Sequence, residues 1–126
     1  MKGVLVDTSV WIDHFRHGNA GLAHLLALDL VMMHPLVLGE IACGTPPQRA
    51  QTLLDLGLLQ ATQEASVLET MTLIDREALF GLGCGLIDMQ LLASTLINPG
   101  AELWTLDKRL EALAQGLGVA HQPRWH

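Results

Sequence analysis

The stretch Val4-Leu5-Val6-Asp7-Thr8-Ser9-Val10-Trp11-Ile12-Asp13 decides how the chain is read. Gly3–Val6 is a short apolar run rich in valine, the pattern of a strand buried on both faces in a parallel sheet. It ends abruptly on Asp7, and Val10, Trp11 and Phe15 then follow at helical spacing as far as Gly18. A buried strand that runs through a carboxylate into a helix is the opening unit of an α/β fold.

The same unit recurs outward along the chain. Asn19 is placed to cap a helix over residues 20–28. Leu30–Met33 is a second apolar run, and Pro35 suits the first turn of a helix reaching Cys43 and closed by Gly44. Thr45 with Pro46 and Pro47 reopens a helix to Leu56, closed by Gly57. Leu58–Ala61 reads as a third strand, and Glu64–Phe80 as a long amphipathic helix. Gly81, Gly83 and Gly85 punctuate the next connection, Leu86–Ile97 is helical, and Asn98-Pro99-Gly100 ends it. Glu102–Leu106 is a strand, Lys108–Gln115 a helix, and Val119–His121 a last short strand. The expectation is one domain over residues 1–126, with a five-stranded parallel sheet flanked by helices on both faces and right-handed crossovers.

Composition narrows the function classes. Half of the 126 residues are hydrophobic and only 16% are charged, which predicts a full core and apolar surface left for a second copy or a partner. The net charge of −6 argues against nucleic-acid binding by bulk charge, so contact with RNA or DNA has to be local, metal-assisted or helped by a cationic partner. Tyrosine is absent and phenylalanine occurs twice, so no stacking platform for single strands is visible. Cys43 and Cys84 form no CxxC and are expected to be buried thiols in a reducing cytoplasm. Asp7 interrupts the first apolar run too early for a secretory signal, and no uncharged apolar stretch reaches the ~18 residues of a membrane span.

Four acids stand where apolar elements meet turns: Asp7, Glu40, Asp88 and Asp107. In open parallel sheets, sites form outside the carboxyl ends of the strands, and Asp7 and Asp107 end two of them. Asp88 near a helix start gains from the helix dipole, and Glu40 lies beside the apolar Leu36, Val37 and Ile41. Carboxylates about 5 Å apart repel by roughly 3 kcal/mol per pair at an effective dielectric of about 20. Some must protonate, or a hard cation must neutralise them, and oxygen-only ligation selects Mg²⁺ or Mn²⁺ over zinc. Such a site suits phosphodiester hydrolysis by metal-activated water. Taken singly, each acid has a local alternative: Asp107 as a helix cap, Asp88 as a favourable helix-start charge, Asp7 as a turn acceptor, Glu40 as a solvated side chain.

The residues around these acids resemble a known family. The Val4–Asp13 segment resembles the opening of PIN-domain ribonucleases, in particular VapC-type toxins of bacterial toxin–antitoxin pairs. The resemblance continues in order through Leu38-Gly39-Glu40-Ile41-Ala42-Cys43-Gly44, Gly85-Leu86-Ile87-Asp88 with Leu91-Leu92-Ala93, and Leu103-Trp104-Thr105-Leu106-Asp107-Lys108-Arg109-Leu110. It implies a PIN-like sheet and a cytoplasmic Mg²⁺- or Mn²⁺-dependent endoribonuclease. It further implies a homodimer, a cognate VapB-type antitoxin and no membrane, with DNA reached only through the antitoxin. Carried onto this chain, it makes Asp7 and Asp88 the main metal ligands, with Glu40 and Asp107 completing an acidic catalytic pocket. Thr8, Ser9 and Thr105 would orient Asp7, Asp107 or a water by their hydroxyls, or cap local turns.

Other features carry less. Asp13 is a solvated acid or a partner for Arg16, and His14, Arg16 and His17 form an exposed helix end or a phosphate contact. His14 and His17 have i, i+3 spacing without a thiolate neighbour, so zinc is not expected. Lys108 or Arg109 contacts a substrate strand or an antitoxin, or is plain surface charge. The glycines at 81, 83 and 85 are not a dinucleotide fingerprint, because they follow a helix. Trp11 is expected in the core or a dimer interface, Trp104 in the core, and Trp125, with Arg124 and His126, in a tail of open role. Two rival functions remain: a catalytically inactive PIN-like protein-binding module, and an aspartyl-phosphate enzyme, against which stands Ser9 where a second acid is wanted. Replacing Asp7 or Asp88 by asparagine is expected to abolish RNA cleavage and to leave the fold intact or stabilised.

Overall fold

The computed structural model describes residues 3–123. Four parallel strands form one sheet in the order β3-β2-β1-β4: β1 (Val4–Val6), β2 (Val31–Met33), β3 (Gln60–Ala61) and β4 (Glu102–Trp104). Val4 pairs with Val31 on one side and Glu102 on the other, and Leu5 with Met32 and Leu103. Every residue of β1 and β2 is buried, so neighbouring side chains on opposite faces are both covered. The helices that cover them are α1 (Thr8–His17), α2 (Ala20–Ala27), α3 (Pro35–Ala42), α4 (Arg49–Gly57), α5 (Val67–Arg76), α6 (Leu86–Ile97) and α7 (Lys108–Gly116).

The sheet has four strands, not the five expected. Val119–His121 makes only a single-residue bridge, Leu103 to Ala120, with Val119 O accepting from Leu103 N at 2.7 Å and His121 N donating to Leu103 O at 2.8 Å. Pro123 follows and has no N–H with which to extend the ladder. At the other edge β3 is two exposed residues long, held to β2 through Met32–Gln60 and Met33–Ala61.

Local chemistry explains the remaining boundaries. Asn19 caps α2 as expected, its Oδ1 accepting from Leu22 N at 2.9 Å. The helix expected from Thr45 begins at Arg49 instead. Residues preceding a proline avoid the helical region, and Gln48 is left-handed at φ 48°. The long helix expected over Glu64–Phe80 shortens to α5 at both ends. Ser66 and Glu69 form a capping box at its start, and Ala78 turns left-handed, at φ 52°, just past its end. α6 spans the residues expected of it.

Buried side chains from all layers form one cluster around Leu5, Val6, Trp11, Leu22, Ile41, Leu91, Leu92, Leu103 and Leu110. Each such aliphatic side chain removed from water contributes about 1.5–3 kcal/mol. Trp11 is 1% exposed and Trp104 4%, so both are core residues, and Trp104 also lies against the His121 ring at 5.3 Å. The Trp125 tail lies outside the described residues. No helix among the described residues is long and apolar enough to cross a membrane.

Candidate active site: an acidic rim at the strand ends

Because the strands are parallel, their carboxyl ends share one rim. Asp7 follows β1, His34 follows β2 and Thr105 follows β4. The chain leaves β1 toward β2 on one side and returns to β4 on the other, so the crevice between β1 and β4 is the switch point where α/β sheets form sites. Asp7 N donates to Trp104 O at 2.8 Å and closes the two strands there.

Asp7 is buried at 7% exposure, and both of its carboxylate oxygens accept hydrogen bonds from the chain. Thr8 N donates to Oδ1 at 2.8 Å, which makes Asp7 the cap of α1. Ser9 Oγ and Thr105 Oγ1 donate to Oδ2 at 2.9 and 2.7 Å. Both hydroxyls are also acceptors: Leu106 N donates to Ser9 Oγ and Asp107 N to Thr105 Oγ1, each at 3.0 Å. Ser9 and Thr105 therefore tie the end of β4 to Asp7, and Thr105 links two of the rim acids. Asp107 caps α7, its Oδ1 accepting from Arg109 N at 2.9 Å and Leu110 N at 3.2 Å. Glu40 is exposed on α3 and its Oε1 accepts from Thr8 Oγ1 at 2.7 Å. Thr8 thus meets Glu40 through its hydroxyl and Asp7 through its backbone N–H.

Asp88 lies in the first turn of α6. Its carboxyl is held above the usual aspartate range, first by burial, then by the charge of Asp7, with Asp107 and Glu40 adding repulsion and a hydrogen bond involving the Gly85 backbone opposing it. All four acids therefore act on one neighbourhood, although they come from four different segments. The local alternatives are realised as well, since Asp7 and Asp107 are helix caps. The two roles are compatible. Helix N-termini α1, α6 and α7 each present a positive dipole end to an acid, which lowers the cost of gathering like charges.

Among the described residues, no three His, Cys, Asp or Glu side chains already close around a common point as a ligand set. Electrostatic repulsion reaches further than coordination, so the acids share a rim while Asp7, Glu40 and Asp107 are each turned to donors of the chain. In donor type and charge the rim fits a hard divalent cation: its groups are carboxylate and hydroxyl oxygens, and Asp88 is short of positive charge.

Neighbouring groups complete the picture. Cys84 is half-buried against the edge of the core and Cys43, at the end of α3, is exposed; both are free, so the expectation of two buried thiols fails. Burial, Asp88 and Asp107 push the Cys84 thiol up, against a smaller opposite pull from Arg109, which makes it a poor nucleophile. Asp13 is paired with Asn19 Nδ2 at 3.1 Å rather than with Arg16, and His14 Nδ1 accepts from Asn19 N at 3.0 Å. These groups fasten the α1–α2 turn. Arg16 and His17 are exposed.

The sequence pattern did not reveal His34, a buried residue that caps α3. Its Nδ1 accepts from Leu36 N at 3.0 Å and its Nε2 faces Ser94 Oγ at 3.1 Å, while Ser94 Oγ also accepts from Ala65 N at 3.0 Å. Burial lowers the His34 pKa, against an opposing pull from Glu64, so the ring is neutral with Nε2–H donating. This network fixes the root of α3, the helix that carries Glu40. Its signal in the sequence was a histidine directly before Pro35.

A cavity of about 410 Å³ borders Glu40, walled by Ile12, Phe15, Ile41, Pro46 and Pro47 with Arg16 at its side. A roomier one of about 640 Å³ lies at the amino ends of the strands, beside Leu30 and Glu102, away from the rim. There Glu102 Oε1 is 3.0 Å from His121 Nδ1.

The chain is thus an α/β protein whose parallel sheet is flanked by helices, with acids from four segments near the carboxyl ends of its strands. Comparison with known proteins makes this specific. The chain is 44% identical over 117 residues to Ribonuclease VapC32 of Mycobacterium tuberculosis strain CDC 1551 / Oshkosh, covering 93% of this chain and 94% of the relative. The protein of the same name from strain ATCC 25618 / H37Rv matches to the same extent. No family model matches the chain. The chain belongs to the VapC-type PIN-domain ribonucleases.

Proposed function

We propose that this protein is a Mg²⁺- or Mn²⁺-dependent endoribonuclease, the toxin of a type II toxin–antitoxin pair. The observation that carries the reading is the linked rim: Thr105 joins Asp7 to Asp107, Thr8 joins Glu40 to Asp7, and Asp88, driven up by burial and by the charges of the other three, faces the same neighbourhood. The name of the 44%-identical relative, a ribonuclease, supports the substrate class. Asp7 and Asp88 would hold the cation, with Glu40 and Asp107 completing the pocket. When bound, the cation lowers the pKa of water and neutralises charge on the phosphate. The chain's own part is positioning. Ser9 and Thr105 fix the Asp7 carboxylate, Thr8 fixes Glu40, and the α7 backbone fixes Asp107.

The partners follow from the same reading. A VapB-type antitoxin with a basic segment would meet the acidic rim, and its apolar side chains would enter the cavity beside Glu40; DNA is reached only through that partner. A homodimer would cover apolar surface such as Phe80, Leu82, Leu86 and Ile87, which are exposed in one stretch leading into α6. The test is cleavage of total cellular RNA by the purified chain. Cleavage with Mg²⁺ or Mn²⁺ that disappears in Asp88→Asn and Asp107→Asn supports the reading. No cleavage by the wild-type chain under any divalent cation favours an inactive binding module.

A further inference from the structure

The acidic rim has to accept a polyanion, and the net charge of −6 works against it. The described residues contain five lysines and arginines: Arg16, Arg49, Arg76, Lys108 and Arg109. Arg49 is tied to the carbonyls of Gly44 and Ala42, and Arg76 faces Glu77 at 3.8 Å. Arg16 stands on the Glu40 side, beside the 410 Å³ cavity. Lys108 and Arg109 begin α7, directly after Asp107.

Arg109 differs from Lys108 in having a seat. A Cβ built on Gly83 would lie 2.8 Å from Arg109 Nη1, 3.0 Å from its Cδ and 3.2 Å from its Cζ. The guanidinium therefore lies against the bare backbone of Gly83, in space that a side chain there would occupy. Gly83 itself has φ +92°, which L side chains rarely adopt, so this backbone favours glycine twice over. The Arg109 side chain makes no hydrogen bond or ion pair within 4 Å of a carboxylate among the described residues, although its charge is felt at Cys84 together with those of Asp88 and Asp107. A planar fork of donors is thus held at the edge of the rim with its hydrogen-bonding capacity unspent. An arginine two residues from Asp107 that pairs with no carboxylate is arranged for an incoming group.

We propose that Arg109, laid over Gly83, grips a backbone phosphate of the RNA strand on the β4 side of the rim. This rests on the endoribonuclease reading and deepens it by assigning a residue to substrate binding. The guanidinium matches phosphate oxygens in pairs, which a lysine does not. Its place beside Asp107 puts the gripped phosphate next to the one at Asp7 and Asp88, so the contact sets the register of the strand on the acids.

The experiment is steady-state cleavage of an end-labelled random-sequence single-stranded RNA with Mn²⁺, by the full chain and by Arg109→Gln, Arg109→Lys, Lys108→Gln and Gly83→Ala. Arg109→Gln is expected to raise KM about tenfold with little change in kcat, and to reduce the log–log salt slope of KM by about 0.7, the value of one single-strand phosphate contact. Arg109→Lys recovers only part of the loss. Lys108→Gln, which removes the same formal charge, moves KM much less. Gly83→Ala displaces the guanidinium and follows Arg109→Gln. An unchanged KM and salt slope in Arg109→Gln, while the wild-type chain cleaves, overturns this proposal and leaves the ribonuclease reading standing. Equal effects of Lys108→Gln and Arg109→Gln also overturn it. A wild-type chain that cleaves no RNA sinks both.

Discussion

Asparagine at position 7 and asparagine at position 88 should shift stability in opposite directions. The sequence alone treats the two acids alike, expecting either change to relieve repulsion. In the structure Asp7 is buried, and its Oδ2 accepts from two hydroxyls, Ser9 at 2.9 Å and Thr105 at 2.7 Å. Asparagine keeps one acceptor oxygen for Thr8 N but turns an amide NH₂ toward those hydroxyls. Hydrogen bonds to a charged group contribute about 1.5–3 kcal/mol each, so two of them amount to roughly 3–6 kcal/mol. Relief of repulsion with the half-buried Asp88 returns about 1–2 kcal/mol at an effective dielectric of about 20. Asp7→Asn is therefore destabilised by roughly 1–5 kcal/mol. Asp88 has the opposite balance, since burial and three like charges act on it against one opposing hydrogen bond. Asp88→Asn should gain about 0.5–1 kcal/mol once solvent screening is allowed for. Thermal melts of both variants and the wild type, in chelator at low salt and neutral pH, measure this directly. An Asp7→Asn protein that melts at or above the wild type refutes the reasoning, as does an Asp88→Asn protein that melts clearly below it.

Further outcomes follow from the same geometry. The raised Asp88 pKa means that its contribution to stability is full below the ordinary aspartate value and is lost as pH rises through the folded value. In chelator, the melting temperature of the wild type should thus fall relative to Asp88→Asn as pH rises through that window, and Mg²⁺ should reverse the fall; parallel pH curves for the two proteins would contradict this. Thr105→Val removes a donor from Asp7 and an acceptor from Asp107 N together, and should cost about 1–3 kcal/mol and lower RNA cleavage about tenfold, read by melting and by initial rates. Ser94→Ala strips the partner from both His34 Nε2 and Ala65 N and should cost about 2–3 kcal/mol in urea titrations, with KM for RNA unchanged if Glu40 keeps its place.

Much of this fold was legible because its strands are short apolar runs and its helices carry strong stops. Val4–Val6 and Leu86–Ile97 could be read from the residues alone. The misreadings have local causes. Val119–His121 is apolar enough for a strand but has room for only one bridge before Pro123. The helix over Glu64–Phe80 looked continuous because amphipathic spacing persists through residues where Ser66 and Ala78 already set its limits. At the site, Asp7 and Asp107 were visible as strand ends and Asp88 as a helix start, while Glu40 was marked by its apolar neighbours near the end of α3. The resemblance named Thr8, Ser9 and Thr105 as their support, but not which hydroxyl serves which acid. Ser9 reaches Asp7 across two positions, but that Thr8 serves Glu40 and Thr105 serves Asp7 depends on contacts spanning 32 and 98 positions, which no local pattern encodes. The seat of Arg109 on Gly83 was hidden for the same reason: the sequence shows a glycine-rich turn and a basic helix start, and only the fold brings them together.

Anomalous diffraction from crystals soaked in Mn²⁺ tests the central claim most directly. The account predicts a peak between the carboxylates of Asp7 and Asp88, with Glu40 or Asp107 within reach through water, and its loss in Asp88→Asn crystals. A rim without manganese, or manganese held only at Glu102 and His121, would contradict it.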